Sequence, residues 1–166
     1  MHRLWTPWRL PYVTGATGRV SGCIFCDALA RIESEPLVVH RGRTSYVILN
    51  KFPYNNGHLM IVPNRHVGRL VDLDPEELAE LGRLTQAAEG VLTRAYDPHG
   101  FNMGLNLGKP AGAGVLDHLH MHVVPRWHGD TNFMSTVGET RVLPEELEQT
   151  SARIRAVFSE IVTKKT

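Results

Sequence analysis

Cysteine is nearly absent from this chain: there are two in 166 residues, both within Cys23-Ile24-Phe25-Cys26. Two thiols cannot build a disulfide scaffold, and no signal-peptide pattern opens the sequence, so a reducing cytoplasm is the expected location. Long apolar runs are missing too. Nothing approaches the roughly 18–20 apolar residues that a bilayer crossing needs, which argues against a membrane protein. Charge of one sign is also scarce. Lys and Arg number 18 against 17 Asp and Glu, a net +1. A balance so near zero argues against a broad nucleic-acid footprint and leaves room only for a local basic pocket. There is no internal repeat and no low-complexity block. What is present, 42% hydrophobic and 21% charged residues, suits one globular domain over residues 1–166.

Residues 1–22 carry Trp5, Pro7, Trp8, Pro11 and Tyr12, then Gly15, Gly18 and Gly22. So many aromatics suggest an irregular N-terminal segment packed on the body or on a partner subunit. A short helix is expected over Cys26 to Ile32, ended before Pro36. Strands are expected at Leu37 to His40 and Ser45 to Asn50, with a turn at Arg41-Gly42-Arg43. Asn55-Asn56-Gly57 is a turn signal, and His58 to Val62 reads as the next strand, stopped by Pro63. Asp74-Pro75-Glu76-Glu77 has the cap, the N1 proline and the acids of a helix start. Leu78, Leu81, Leu84, Ala88, Val91 and Leu92 carry its apolar stripe to about Tyr96. Phe101 to Leu107 and His118 to Val124 read as further strands, and Leu143 to Val162 as a C-terminal helix. The sum is an α+β domain: an antiparallel sheet of about five strands, a long central helix and a C-terminal helix.

The densest chemistry lies at His118-Leu119-His120-Met121-His122, which takes three of the nine histidines. Period-two spacing puts three imidazoles on one strand face and Leu119 and Met121 on the other. Imidazole can attack phosphorus, act as a general base or ligate metal, and spacing alone does not choose among these. Just upstream, Gly108-Lys109-Pro110-Ala111-Gly112-Ala113-Gly114 offers backbone amides at Gly112 and Gly114 and the charge of Lys109. An anion cradle beside the triplet favours a nucleophile toward phosphate among these histidines.

These residues resemble the histidine triad family. His118 to Val124 looks like its His-x-His-x-His signature followed by two apolar residues. The run from Asn106 through Gly114 to Pro125-Arg126-Trp127 is similar to bacterial members that are diadenosine tetraphosphate phosphorylases or hydrolases. Leu4-Trp5-Thr6-Pro7-Trp8-Arg9 and Gly129-Asp130-Thr131-Asn132-Phe133-Met134 fit the same subgroup. The resemblance implies a triad-type sheet assembled as a homodimer or larger homo-oligomer. It implies cleavage at the α-phosphate of a dinucleoside polyphosphate through a nucleotidyl-His120 intermediate. His122 then contacts phosphate or the bridging oxygen, and His118 supports the nucleophile or binds metal. Asn50 matches the ribose-binding asparagine, Asn106 a phosphate-site polar residue, and His58 a histidine that supports the triad strand from behind. The chain departs from the pattern at Val115, where many hydrolase members carry glutamine or serine. That weakens a simple hydrolase reading and makes a phosphorylase the expectation. A nucleoside phosphoramidate or dinucleoside polyphosphate hydrolase is the alternative enzyme, and a nucleotide-binding sensor or scaffold the alternative class.

By spacing, Cys23-x-x-Cys26 is half of a tetrahedral zinc site or simply two reduced thiols. The resemblance to zinc-binding bacterial triad proteins and uridylyltransferases supplies two more ligands, His66 and His118, and implies a structural zinc. No organic cofactor is expected. Trp127, after the triad strand, can stack a base or pack on the surface.

Overall fold

A computed structural model describes residues 22–131 and 144–163. The expectations for the N-terminal segment before Gly22, for Asn132 to Met134 and for a helix start at Leu143 lie outside the described residues. Five strands form one sheet: β1 (Val38–Arg41), β2 (Ser45–Leu49), β3 (Leu59–Pro63), β4 (Gly100–Leu105) and β5 (Met121–Arg126). Among the described residues three α-helices accompany them: α1 (Ile24–Ala30), α2 (Pro75–Tyr96) and α3 (Leu147–Thr163). The strand order is β1-β2-β3-β5-β4 and every pair is antiparallel. The expected α+β architecture is therefore observed.

β2 (Ser-Tyr-Val-Ile-Leu) and β3 (Leu-Met-Ile-Val-Pro) are buried at every position because both sheet faces are covered. On one face Val47, Leu49, Leu59, Ile61 and Val123 pack against Leu81, Leu84, Ala88, Val91 and Leu92 of α2 and Ile154 and Phe158 of α3. On the other, Tyr46, Ile48, Met60 and Val62 pack against Phe25 and Ala28 of α1.

α2 begins where its cap residues dictate. Asp74 accepts from the Glu77 amide at 2.9 Å and Glu77 accepts from the Asp74 amide at 3.0 Å, a reciprocal capping box with Pro75 in the first turn. The helix ends at Asp97, whose left-handed φ of 45° turns the chain toward β4.

One strand differs from expectation in a way that matters. β5 starts at Met121, not His118, so only His122 of the three histidines lies within a regular strand. The cause is local. Pro63 at the end of β3 has no N–H to offer, and its carbonyl is taken by the His118 ring at 2.9 Å. The Leu119 amide bonds instead to Val67 at 2.7 Å, so residues 118–120 leave the β3 ladder. Smaller boundary differences follow the same logic of local partners. α1 starts at Ile24 with Cys23 as its cap, where Cys26 to Ile32 was expected. β4 closes at Leu105, two residues before the expected Leu107.

Candidate active site and metal centre

The cross-strand register places Met60, His122 and Gly104 side by side on the sheet face opposite α2 and α3. Behind His122 stands His58, fully buried at the start of β3. The Tyr54 amide donates to His58 Nδ1 at 3.1 Å, so that nitrogen carries no proton. His58 then bears its hydrogen on Nε2 and donates it to His122 Nδ1 at 2.9 Å. The chain of donors leaves His122 with its remaining hydrogen on Nε2, directed away from His58. The Tyr54 ring lies tilted on that of His58, with centroids 4.6 Å apart, and stacks on that of His122 at 5.9 Å.

His120 has the complementary arrangement. Its Nδ1–H donates to the His118 carbonyl at 2.9 Å, which leaves the Nε2 lone pair as its reactive atom. The ring lies 4.9 Å from that of His122, at a steep angle. Burial pushes the His120 pKa below the ordinary imidazole value, against the smaller opposing effect of the His118 carbonyl. The ring is therefore neutral, as a nucleophile must be, at neutral pH. A lone pair and an N–H thus stand on adjacent rings.

His118 faces elsewhere. Its Nε2–H donates to the Pro63 carbonyl, which fixes its lone pair on Nδ1. That atom lies 3.2 Å from the Cys23 sulfur and 3.6 Å from that of Cys26, and His66 Nδ1 lies 3.3 Å from Cys26. The four donor atoms all fall within 4.8 Å of one another and could hold a metal ion. The three sulfur–nitrogen separations of 3.2, 3.3 and 3.6 Å are close to the edge, about 3.5 Å, of a tetrahedron with bonds of about 2.3 Å to sulfur and 2.0–2.1 Å to nitrogen. The hydrogen bond to Pro63 is the kind of outer contact that sets a ligating imidazole's tautomer. Burial, and then the neighbouring Cys23 thiol, push the Cys26 pKa up, so a cation between them would have much to stabilise. Both ring nitrogens of His118 are engaged here, which separates its work from that of His120 and His122.

The remaining expected residues are placed as follows. Asn50 follows β2, its carbonyl oxygen accepting from the Phe52 amide at 2.9 Å and its amide 3.3 Å from His58. Asn106 is half-buried one residue beyond β4. Gly108 and Gly112 hold left-handed backbone at either end of a single 3-10 turn over Lys109–Ala111. The Gly112 amide closes that turn onto the Lys109 carbonyl at 3.0 Å, so it is already engaged within the loop. Lys109 and Gly114 are exposed. Val115 packs with Cys23, Leu29 and Leu37 against the α1 side of the core. Trp127 is half-buried in a turn held by Asp130, which accepts from its amide at 3.3 Å and from Arg126 Nε at 2.6 Å.

Two aromatics escaped the sequence reading. Phe25 touches two of the triad rings and Tyr54 the other. The only local signals are that Phe25 sits between the two cysteines and that Tyr54 precedes the Asn-Asn-Gly turn.

A family model described as HIT domain matches residues 31–129. The AP-4-A phosphorylase of Mycobacterium tuberculosis is 45% identical over 157 residues, covering 90% of this chain and 80% of that protein. Among solved structures, a hypothetical histidine triad nucleotide-binding protein of Sulfolobus tokodaii strain7 is 28% identical with a TM-score of 0.70, covering 86% of this chain and 95% of its own. A Zn-bound histidine triad family protein from Mycobacterium smegmatis has the same TM-score of 0.70 at 24% identity, covering 86% and 97%, and shares the fold.

Proposed function

This chain belongs to the HIT domain family, and we propose that it is a diadenosine tetraphosphate phosphorylase working through a nucleotidyl-His120 intermediate. The observation that carries the reading is the pair of fixed tautomers, a neutral His120 with its lone pair on Nε2 beside a His122 with its hydrogen on Nε2. His120 Nε2 attacks the α-phosphorus of one adenosine. The bond from that phosphorus to its bridging oxygen breaks, and ATP leaves as His122 Nε2–H hydrogen-bonds the departing oxygen. Inorganic phosphate then attacks the same phosphorus, the N–P bond breaks with its electron pair returning to His120, and ADP is released. Asn50 holds the ribose, Asn106 and the Gly114 amide hold phosphate oxygens, Lys109 draws in the polyphosphate, and Trp127 stacks the far base. Gly112 acts through the shape of the loop, because its amide is engaged. The choice of phosphate over water as acceptor rests on the AP-4-A phosphorylase relative.

Cys23, Cys26, His66 and His118 would hold a zinc ion, since two thiolates select it over hard cations. Four protein ligands leave no open position, so the ion supplies a structural cross-link and not a Lewis acid. Such thiolates must stay reduced, which suits a cytoplasmic protein. β4 forms one edge of the sheet with Asn102, Met103 and Gly104 exposed, and a second copy pairing there gives the homodimer.

The test is turnover of diadenosine tetraphosphate with and without inorganic phosphate. ADP plus ATP formed only when phosphate is present is the expected result. AMP plus ATP, or two ADP, formed without phosphate would make the enzyme a hydrolase. Tight nucleotide binding with no product in either tube would make it a sensor.

A further inference from the structure

Among the described residues, the Phe25 side chain joins the cysteine pair to the nucleophile. It lies between Cys23 and Cys26 in sequence, in the first turn of α1, and is 2% exposed. Its ring meets that of His118 edge-on at 5.5 Å and lies tilted on that of His120 at 5.0 Å. Its carbonyl accepts from the buried Tyr46 hydroxyl at 2.8 Å, which ties this turn to β2. Besides the His122 ring at 4.9 Å, two contacts hold the His120 ring, and both originate at the metal cluster. One is the carbonyl of the ligand His118, which takes the His120 Nδ1–H. The other is the ring of Phe25, whose chain neighbours carry the two sulfurs.

We propose that Phe25 is a positioning residue for His120, its ring set by the Cys23–Cys26 turn so that filling the metal cluster fixes the orientation of the nucleophile. The proposal rests on the reading of His120 as nucleophile and of the four-residue cluster as a metal site. The physical reason is steric. His120 has one hydrogen bond on Nδ1, and rotation about its side-chain bonds is checked by the rings packed beside it, the tilted Phe25 ring at 5.0 Å and that of His122 at 4.9 Å. A smaller side chain at position 25, or a cysteine turn released from its cation, opens the Phe25 side of the ring and admits a rotamer that breaks the bond to the His118 carbonyl, so that the ring hydrogen is no longer held on Nδ1 and Nε2 no longer points at the substrate. Small misplacements of an attacking atom are costly in rate because near-attack geometry is narrow.

The test compares Phe25→Leu with Phe158→Leu, a core phenylalanine of α3 on the opposite face of the sheet, as a control for general loosening. Both variants are made in the full chain loaded with zinc, and zinc content is measured by elemental analysis. Imidazole nitrogen NMR reads the His120 tautomer directly, apart from activity. Expected for Phe25→Leu are wild-type zinc content, a second His120 tautomer, and kcat lower by about 10- to 100-fold with KM changed much less. Phe158→Leu should keep one His120 tautomer and lose less kcat. Removing zinc from the wild-type protein with a chelator should bring up the same second tautomer. A single unchanged His120 tautomer in Phe25→Leu, or on zinc removal, overturns the proposal. Equal kcat losses in the two variants overturn it as well. Failure of the underlying readings looks different: His120→Ala would retain turnover, or the wild-type protein would bind no zinc.

Discussion

At the scale of single residues, the site depends on which ring nitrogen carries each hydrogen. His120→Ala removes the proposed attacking atom and should lower turnover by more than about 1000-fold while zinc content stays constant. His58 never needs to touch substrate, yet it fixes the His122 hydrogen on Nε2. Replacing it by glutamine keeps some hydrogen bonding but loosens that assignment. The expected cost is about 100-fold in kcat, within the range for a misplaced general acid, with KM nearly unchanged in steady-state assays. His40 gives a pH prediction away from the site. It stacks on Phe158 at 5.0 Å, and burial lowers its pKa below 6.5, a shift that the Glu80 charge only partly opposes. The folded state therefore keeps His40 neutral while the unfolded chain binds the proton. The stability it contributes is complete above pH 6.5 and is lost as pH falls through the lower folded value. A His40→Phe variant keeps the stack and should lose less melting temperature than wild type between pH 7 and pH 5, as measured by calorimetry.

Elements hold these residues at the right separations. The segment carrying His118 is pressed against the loop that carries His66, and Gly68 sets how close they come. A Cβ there would lie 3.2 Å from the Asp117 Cα and 3.2 Å from the Leu116 carbonyl oxygen, both backbone atoms that cannot swing away. Gly68→Ala should therefore push His118 from His66 and weaken zinc retention in a chelator competition, with the sheet intact by circular dichroism. The other end of the His66 loop is tied to α2, where Arg65 pairs with the half-engaged cap residue Glu77 through bonds of 3.0 Å and 2.6 Å. Glu77 also completes the capping box, and its carboxyl is held below the usual carboxylate range mainly by Arg65. Asp74→Ala breaks one half of that box. It should cost about 1 kcal/mol of stability in a denaturant titration while leaving kcat in place.

Across the whole molecule, the sheet has two faces with separate duties. α2 and α3 close one face and supply most of the core, while α1 and the triad occupy the other. The four residues of the candidate metal cluster come from α1 and its cap, from the loop after β3, and from the segment before β5, so the cluster joins parts distant in sequence. Cys23→Ser should lose zinc and lower the melting temperature, because a cross-link spanning 95 residues constrains the unfolded chain strongly. The open β4 edge makes the assembly testable by light scattering. The wild-type chain should run as a dimer or larger, and Met103→Lys, which charges that edge, should shift it toward monomer.

The sequence by itself determined the elements whose causes are local. The Asp74 cap and Pro75, the α2 stripe from Leu81 to Leu92 and the Asn-Asn-Gly turn are each written in a few nearby residues and appear where expected, whereas Leu78, expected in the stripe, is 50% exposed because the helix turns Glu77 inward toward Arg65 instead. The triad and the cysteine pair were legible for the same reason: their chemistry sits at short, regular spacings. Only the tertiary structure decided how labour is divided among the histidines. Period-two spacing implied three equivalent rings on one strand, but Pro63 ends the ladder and draws the His118 ring aside toward the sulfurs. The tautomers of the triad rings are set by partners far along the chain, such as the His58 ring behind His122 and the Pro63 carbonyl behind His118. The role of Phe25 lay out of reach for the same reason: a ring that acts by contact has no signature until the chain has folded around it.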